Sequence, residues 1–404
     1  MEEQMNIPRL RFPEFPEEWK TASLGEISDV KTGPFGSVLH QKDYVLFGTP
    51  IITVEHLNEL GILHKNLPLV SDEDKIRLKS YLLREGDIVF SRVGSVDRNS
   101  LISSKEAGWL FSGRLLRIRF NKENSNSKFI SAFFQKDESK DKVRSIAVGQ
   151  TMPSINTEIL KSIRITFPTL IEQTKIALFF SNNDDKISRL IKKKSLLEQY
   201  KKGVMQQLFS QELRFKDEDG NEFLEWKKRK IKDVFRFKQG IQCGVENQYT
   251  EKGQNMHRFI RIIDLTSANE PIRYINSPGV EHHIKQDDLF MVRYGTPGLV
   301  GYGFEGIIAN NLFRIIPNIP VINKFYFFVF NFLSQELSQL ASSSTMPALS
   351  FSSLEVLSIP MPSLPEQQKI AAFLSALDEK IAQTALQIEK MQLWKKGLLQ
   401  QMFV

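Results

Sequence analysis

Residues 168–187 read PTLIEQTKIALFFSNNDDKI and residues 362–381 read PSLPEQQKIAAFLSALDEKI, with twelve of the twenty aligned positions identical and no gap. The same offset of 194 carries Tyr200-Lys201-Lys202-Gly203 onto Trp394-Lys395-Lys396-Gly397, and Gln206-Gln207-Leu208-Phe209 onto Gln400-Gln401-Met402-Phe403. One half of the chain is therefore a copy of the other.

The repeated stretch reads as helix. Thr169-x-x-Glu172 and Ser363-x-x-Glu366 have capping-box spacing, in which the hydroxyl takes the N3 amide and the Glu returns to the cap amide. From Ile187 onward, positions spaced alternately three and four carry Leu190, Lys194, Leu197, Lys201, Val204 and Leu208. The second copy has Ile381, Thr384, Ile388, Met391, Lys395, Leu398 and Met402. Both are heptad seams, and the natural partner of each rod is the other. The alternative is that each rod packs on its own module. Asn182-Asn183 is a possible break where the second copy has Ala376-Leu377. About 25 residues from Asp185 to Phe209, at ~1.5 Å each, span roughly 37 Å, close to the ~34–36 Å of one turn of B-DNA.

Outside the rods lie two modules of roughly 150 residues. Lys31-Thr32-Gly33 aligns with Lys238-Gln239-Gly240, Asp87 to Arg92 with Asp288 to Arg293, Leu115 to Ile118 with Leu312 to Ile315, and Thr151-Met152-Pro153 with Thr345-Met346-Pro347. The offset drifts from 207 to 194 along this series, so loops of different length sit on one scaffold. Asp87 to Ser91 and Asp288 to Val292 read as short strands, and Leu115 to Phe120 as a half-exposed strand alternating apolar residues with Arg. Phe129 to Phe134 and Phe325 to Leu333 read as helices. The module is α+β. Leu10-Arg11-Phe12 with Trp19 matches Leu213-Arg214-Phe215 with Trp226, a segment that in the second half directly follows a rod. Phe403 is therefore expected near the N-terminal residues.

Composition limits the function. With 41% hydrophobic and 25% charged residues, the chain resembles an ordinary soluble globular protein. A net charge of +7 suits an anionic partner such as nucleic acid. Cys243 is the single cysteine, which excludes intramolecular disulfides and fits a reducing cytoplasm. The start MEEQMNIPRLRF lacks a secretory pattern. The most apolar run, around Phe325 to Phe330, is too short for a membrane span. Phosphate-loop, dinucleotide and His-Glu-x-x-His motifs are absent, as is an Asn/Asp-Pro-Pro-aromatic tetrapeptide, so no catalytic residue is assigned. His282-His283 has no third ligand at metal spacing, and no metal is expected.

The modules do offer polar, basic loops. In the first, Lys31, Ser37, His40, Gln41, Lys42, Tyr44, Arg92, Ser95, Arg98 and Asn99 are candidate DNA contacts. In the second, Gln242, His257, Arg258, Arg293, Tyr294 and Thr296 are. Arg bridges guanine O6 and N7, and Asn or Gln bridges adenine N6 and N7, while Lys and hydroxyls hold phosphates. Arg92 and Arg293 stand at matched positions and equally suit a scaffold role. The unmatched His40, Gln41, Arg98, His257 and Arg258 suit sequence reading better. The basic face of the first rod, from Lys186 to Lys202, suits solvent, a partner protein or phosphates.

A module, then a Pro-x-x-x-Glu-Gln-x-Lys-Ile-Ala helix ending in Lys-Lys-Gly and Gln-Gln, all twice over, resembles the specificity (S) subunit of type I restriction–modification enzymes. Gly33-Pro34-Phe35-Gly36-Ser37, Gly86 to Arg92 and Gly149-Gln150-Thr151-Met152 are similar to segments of that family's target recognition domains. Ile171 departs from the proline usual before Glu-Gln. Gln239-Gly240-Ile241-Gln242 departs from the first module's glycine-rich loop. The resemblance implies two target recognition domains related by a pseudo-twofold, at 1–167 and 211–361. Two long antiparallel helices, at 168–210 and 362–404, would form an intramolecular coiled coil between them. Each domain would read one half of a bipartite site in double-stranded DNA, and the helices would set the gap.

Two modification subunits would dock around the helices, bind S-adenosylmethionine and methylate a flipped adenine. Two restriction subunits would use ATP and Mg to translocate and cut, so that this chain binds no cofactor itself. Glu172, Gln173, Lys201, Lys202, Glu366, Gln367, Lys395 and Lys396, in the best-repeated segments, are the candidate docking positions. The other functional classes are a free-standing pseudo-dimeric DNA-binding regulator and an enzyme whose catalytic residues no motif reveals.

Overall fold

The computed structural model describes residues 6–34, 38–121, 125–267, 269–341 and 347–404, without the side chain of Gln41. The chain divides into two compact units, one running to Lys193 and completed by Thr384–Val404, the other Lys194–Gln383. This differs from the four-segment division expected from sequence. The reason is that the ends of both long helices are buried in module cores.

In the first unit a four-stranded antiparallel sheet has the order Ser28–Thr32, Leu115–Phe120, Ile88–Ser91, Asn99–Leu101. A second sheet places Thr49–Ile52 between Leu69–Val70 and Leu110–Phe111. Lys20–Ser23 pairs with Arg164–Phe167 at the entrance to the first long helix. The second unit repeats this scheme. Its first sheet runs Phe235–Gln239, Leu312–Pro317, Leu289–Val292, Val300–Gly301, and Lys227–Lys230 pairs with Ser358–Met361. The second sheet is extended to Arg273–Asn276, Met256–Ile260, Gly306–Ile308 and His283–Ile284.

The matched glycines have a steric cause. A Cβ on Gly33 would collide with the Ser112 carbonyl, and one on Gly240 with the Ala309 carbonyl. The expectation of a half-exposed strand at Leu115–Phe120 is corrected. It lies between two neighbours in its sheet, and Arg117 is buried beside Asp29. Helices form at Ser127–Phe133 and Asn323–Phe332, as the apolar spacing predicts.

The first long helix is continuous over Leu170–Phe209, the second over Leu364–Met402. Asn183 does not break the first, because its amide donates to the Phe179 carbonyl one turn back. The predicted seam is visible as burial. Ile187, Val204 and Leu208 are buried, and Leu190, Lys194, Leu197 and Lys201 are half-buried, between exposed flanks. Ile381, Thr384, Ile388, Met391, Lys395 and Met402 follow the same pattern, but Leu399 is buried where the seam had Leu398, which is only half-buried.

Both packing alternatives are realised. In the first unit Ile176, Ala177 and Phe180 of the first helix share a core with Leu399, Met402 and Phe403 of the C-terminal segment and with module residues such as Phe129. Phe180 meets Phe403 and Asp184 meets Lys395, so the helices run antiparallel there. In the second unit Val204 and Leu208 share a core with Ile370, Leu374 and Leu377.

Phe403 sits 6.2 Å from Trp19 in the first unit, as Phe209 sits 6.4 Å from Trp226 in the second. The Leu10 amide also donates to the Gln401 carbonyl at 2.9 Å. The expected proximity of the C-terminal segment to the N-terminal residues holds. Burying the Trp19 and Phe403 rings, which are almost fully enclosed, contributes roughly 1.5–3 kcal/mol each.

Candidate nucleic-acid interface

The repeated Glu-Gln pairs do not face a partner. Glu172, Gln173, Glu366 and Gln367 are each at most 1% exposed, which removes them as docking positions. Arg11 grips the Glu172 carboxylate through Nε at 2.7 Å and Nη2 at 2.8 Å, and Arg214 reaches Glu366 at 3.2 Å. The carboxylate holds the Arg11 guanidinium above its ordinary pKa. Gln173 accepts the Asn126 amide and donates to the Pro168 carbonyl, while Gln367 accepts the Ile322 amide and donates to the Pro362 carbonyl. These side chains clamp each helix start to its module. The capping boxes are corrected accordingly: the glutamates serve arginines, and the Ser363 hydroxyl is buried without a hydrogen-bond partner among the described residues.

Lys201 is bonded to Asp378 and stands over the Phe328 ring. Lys395 is 7% exposed and binds Asp184 and Gln135, so both lysines are structural. Lys202 is exposed, and Lys396 is an exposed partner of Asp137. Those two alone among the docking positions face solvent.

Several DNA candidates are likewise used internally. Lys31 donates to the Ser80 carbonyl and caps the Tyr81 ring at 4.2 Å, and burial, with Arg117 nearby, holds its pKa below the ordinary value. Its counterpart Lys238 donates to the Glu281 carbonyl. Arg92 and Arg293 have matched backbone bonds, to Arg114 and Ile155 in one module and to Asn311 and Leu349 in the other. Arg293 also donates to Gln239 at 2.7 Å and stacks over Phe351. That is the scaffold role.

Asn99 is buried in its strand and bonded to the Asp97 carbonyl, so it reads no base edge. Arg258, expected to be a reader, pairs with the buried Asp264 and covers the Phe304 ring. His257 lies against His283 with ring centroids 3.9 Å apart, and burial followed by that neighbour holds its pKa below the ordinary value. Ser37 and the Gln41 side chain lie outside the described residues.

What remains open to solvent gathers on loops. In the first unit His40, Lys42, Ser95 and Arg98 are exposed. Tyr44 and Arg98 line a cleft of about 1000 Å³ together with Thr53, Glu55, Asn66 and Arg114. Arg98 is braced by donating Nη2 to the Leu57 carbonyl at 2.5 Å, and burial pushes the Tyr44 hydroxyl pKa up. Such a wall offers guanidinium donors, a phenol and amide groups at once, the donor set suited to base edges and phosphates. In the second unit Gln242 and Thr296 are exposed and Tyr294 is half-buried.

Arg114 and Asn66 were missed in the sequence. Arg114 follows Ser112-Gly113 between two strands, and that turn spacing was the available signal. Among the described residues no group of three or more His, Cys, Asp or Glu is placed to hold a metal, and no helix is long and apolar enough to cross a membrane.

The sequence matches the type I restriction modification DNA specificity domain over residues 16–199 and again over 224–391. A putative type I restriction enzyme MjaX specificity subunit from Methanocaldococcus jannaschii is 26% identical, covering 98% of this chain and 95% of that one. The MjaVIII specificity subunit of the same organism is 24% identical over 95% and 92%. A crystal structure of a type I restriction–modification S subunit from M. genitalium shares the fold, with a TM-score of 0.65 at 16% identity over 98% of this chain and 99% of that one. A chain from a structure of type I restriction–modification complex assembly has a TM-score of 0.54 at 16% identity, over 95% and 97%. With a doubled domain and a doubled match, this chain belongs to the family of type I restriction–modification DNA specificity subunits.

Proposed function

We propose that each unit reads one half of a bipartite target in double-stranded DNA and that the two long helices set the gap between the halves. The observation that carries this reading is the pairing of a repeated scaffold with unrepeated loops. Sheet order, helix clamps and backbone bonds recur in both units, while the exposed residues differ. Two modification subunits hold S-adenosylmethionine and methylate adenine N6 in each half-site. Two restriction subunits supply ATP- and Mg-dependent translocation and cleavage. This chain supplies specificity without catalysis, in the cytoplasm, and Lys202 and Lys396 are its remaining exposed docking lysines.

Methylome sequencing of cells expressing the chain with its partner subunits tests the reading, and the expected result is one split motif. Inserting four residues, about 6 Å of helix, into both long helices should widen the gap and leave both half-site sequences unchanged. Changed half-sites with an unchanged gap would refute the ruler. Full sequence-specific affinity of the chain without partners, measured by anisotropy, would favour the free-standing regulator instead.

A further inference from the structure

Leu46 is 87% exposed and Phe47 88%, the two most exposed large apolar side chains among the described residues of their unit and adjacent in sequence. Neither side chain contributes to a core, yet the backbone on both sides is fixed. The Val45 amide donates to the Leu69 carbonyl at 2.9 Å, and Val45 bridges Leu69. At the other end, a Cβ on Gly48 would collide with the Val70 carbonyl, and Thr49 enters the strand paired with Leu69–Val70. The result is a rigidly held two-residue apolar tip. Folding gains nothing from it, since exposed apolar area contributes no burial energy.

A cleft with two arginines adjoins it. Tyr44 on one flank lines the cleft that holds Arg98 and Arg114, and so do Leu67 and Pro68, which precede the strand against the other flank. His40 and Lys42 are exposed within seven residues of Phe47.

The second unit has the same scaffold here. A one-turn helix at Gln41–Asp43 and Val45, which bridges Leu69, correspond to Val245–Asn247 and Tyr249, which bridges Tyr274, but the next strand meets Leu69 through Pro50 and Tyr274 through Arg258, so the intervening loop is longer in the second unit. The residues that follow Tyr249 in that longer loop, Thr250 and Glu251, are polar and exposed. A loop that changes both its length and its side chains on a shared scaffold suits a specificity position.

We propose that Leu46 and Phe47 form an apolar wedge that inserts between base pairs of the half-site read by the first unit, while the second unit reads its half without one. An inserted ring unstacks one step and favours flexible pyrimidine–purine steps, which adds selectivity without hydrogen bonds to bases. This rests on the DNA-reading role proposed above.

The test uses the full chain assembled with its modification subunits and a duplex carrying its methylome-defined motif, with 2-aminopurine scanned through both halves. Beyond any rise at the adenine flipped in each half, the wedge predicts one further fluorescence rise, reporting unstacking, at one step of the first unit's half-site. Leu46→Thr with Phe47→Glu should abolish the rise and weaken binding roughly 10- to 100-fold, with melting temperature and co-elution of the subunits unchanged. Phe47→Trp should keep both the rise and the affinity. A double variant with unaltered affinity, or no such further rise in the unsubstituted complex despite specific binding, overturns the wedge. Loss of co-elution would assign the tip to a protein contact and overturn it as well. Absence of any specific duplex binding by the unsubstituted complex would instead overturn the DNA-reading role.

Discussion

Lys201 Nζ lies 2.5 Å from Asp378 Oδ1, and the offset of 194 that relates the two copies carries Lys201 to Lys395 and Asp184 to Asp378. Lys395 and Asp184 are themselves paired. The duplicated sequence thus builds the same cross-helix ion pair once within each unit. The lysine comes from the first helix in one unit and from the second helix in the other.

The Lys395–Asp184 pair is the more enclosed, at 8% and 26% side-chain exposure against 21% and 38%. Burial pushes the Asp184 carboxyl pKa above 3.8, and Lys395 only partly offsets this. A carboxyl bound more tightly to its proton in the folded state stabilises most below the unfolded value. That contribution falls as pH rises from about 4 through the raised folded value. Asp184→Asn should flatten this segment of the stability curve, as thermal unfolding between pH 3.5 and 7 would report. Lys395→Met alone should cost about 2 kcal/mol at pH 7 by leaving a buried carboxylate uncompensated, while Lys395→Met with Asp184→Leu should recover most of it.

The two arginine clamps differ in quality. Arg11 binds Glu172 through two contacts of 2.7 and 2.8 Å and also serves the Glu17 carbonyl, whereas Arg214 approaches Glu366 at 3.2 and 3.4 Å and also serves the Phe223 and Leu224 carbonyls. Paired short contacts to a carboxylate are the stronger arrangement. Glu172→Gln is therefore expected to cost about 3 kcal/mol and Glu366→Gln about half of that. Scanning calorimetry should show the larger fall in melting temperature for Glu172→Gln, and equal shifts would contradict the ranking.

Residues that act through period and repetition were legible in the sequence. The seam from Ile187 to Leu208, the helix at Asn323–Phe332 and the approach of Phe403 to Trp19 all follow from apolar spacing plus the duplication. Residues that act through tertiary partners were not. Glu172 has capping-box spacing, but its partner is Arg11, 161 positions away. Spacing within a helix carries no information about such a partner. The matched Leu10-Arg11-Phe12 and Leu213-Arg214-Phe215 were the one available hint. Arg258 and Asn99 look like readers by residue type, and only the position of Asp264 and the burial of a strand show otherwise.

The same distinction separates readers from scaffold by experiment. Arg98 lines the open cleft, braced by the Leu57 carbonyl, whereas Arg293 is tied to Gln239 and Phe351. In the complex with its modification subunits, Arg98→Ala should relax one position of one half-site, at about 1–3 kcal/mol of discrimination, with the melting temperature unchanged. Arg293→Ala should lower the melting temperature without relaxing any base position. Lys42→Ala, exposed on the adjoining loop, should weaken binding to all duplexes alike. It should also reduce the slope of log affinity against log salt by about 1, because one phosphate contact is lost. Anisotropy titrations between 50 and 200 mM salt on matched and single-mismatch duplexes measure all three. A sequence-selective effect of Lys42→Ala, or a uniform effect of Arg98→Ala, would reverse the roles assigned here.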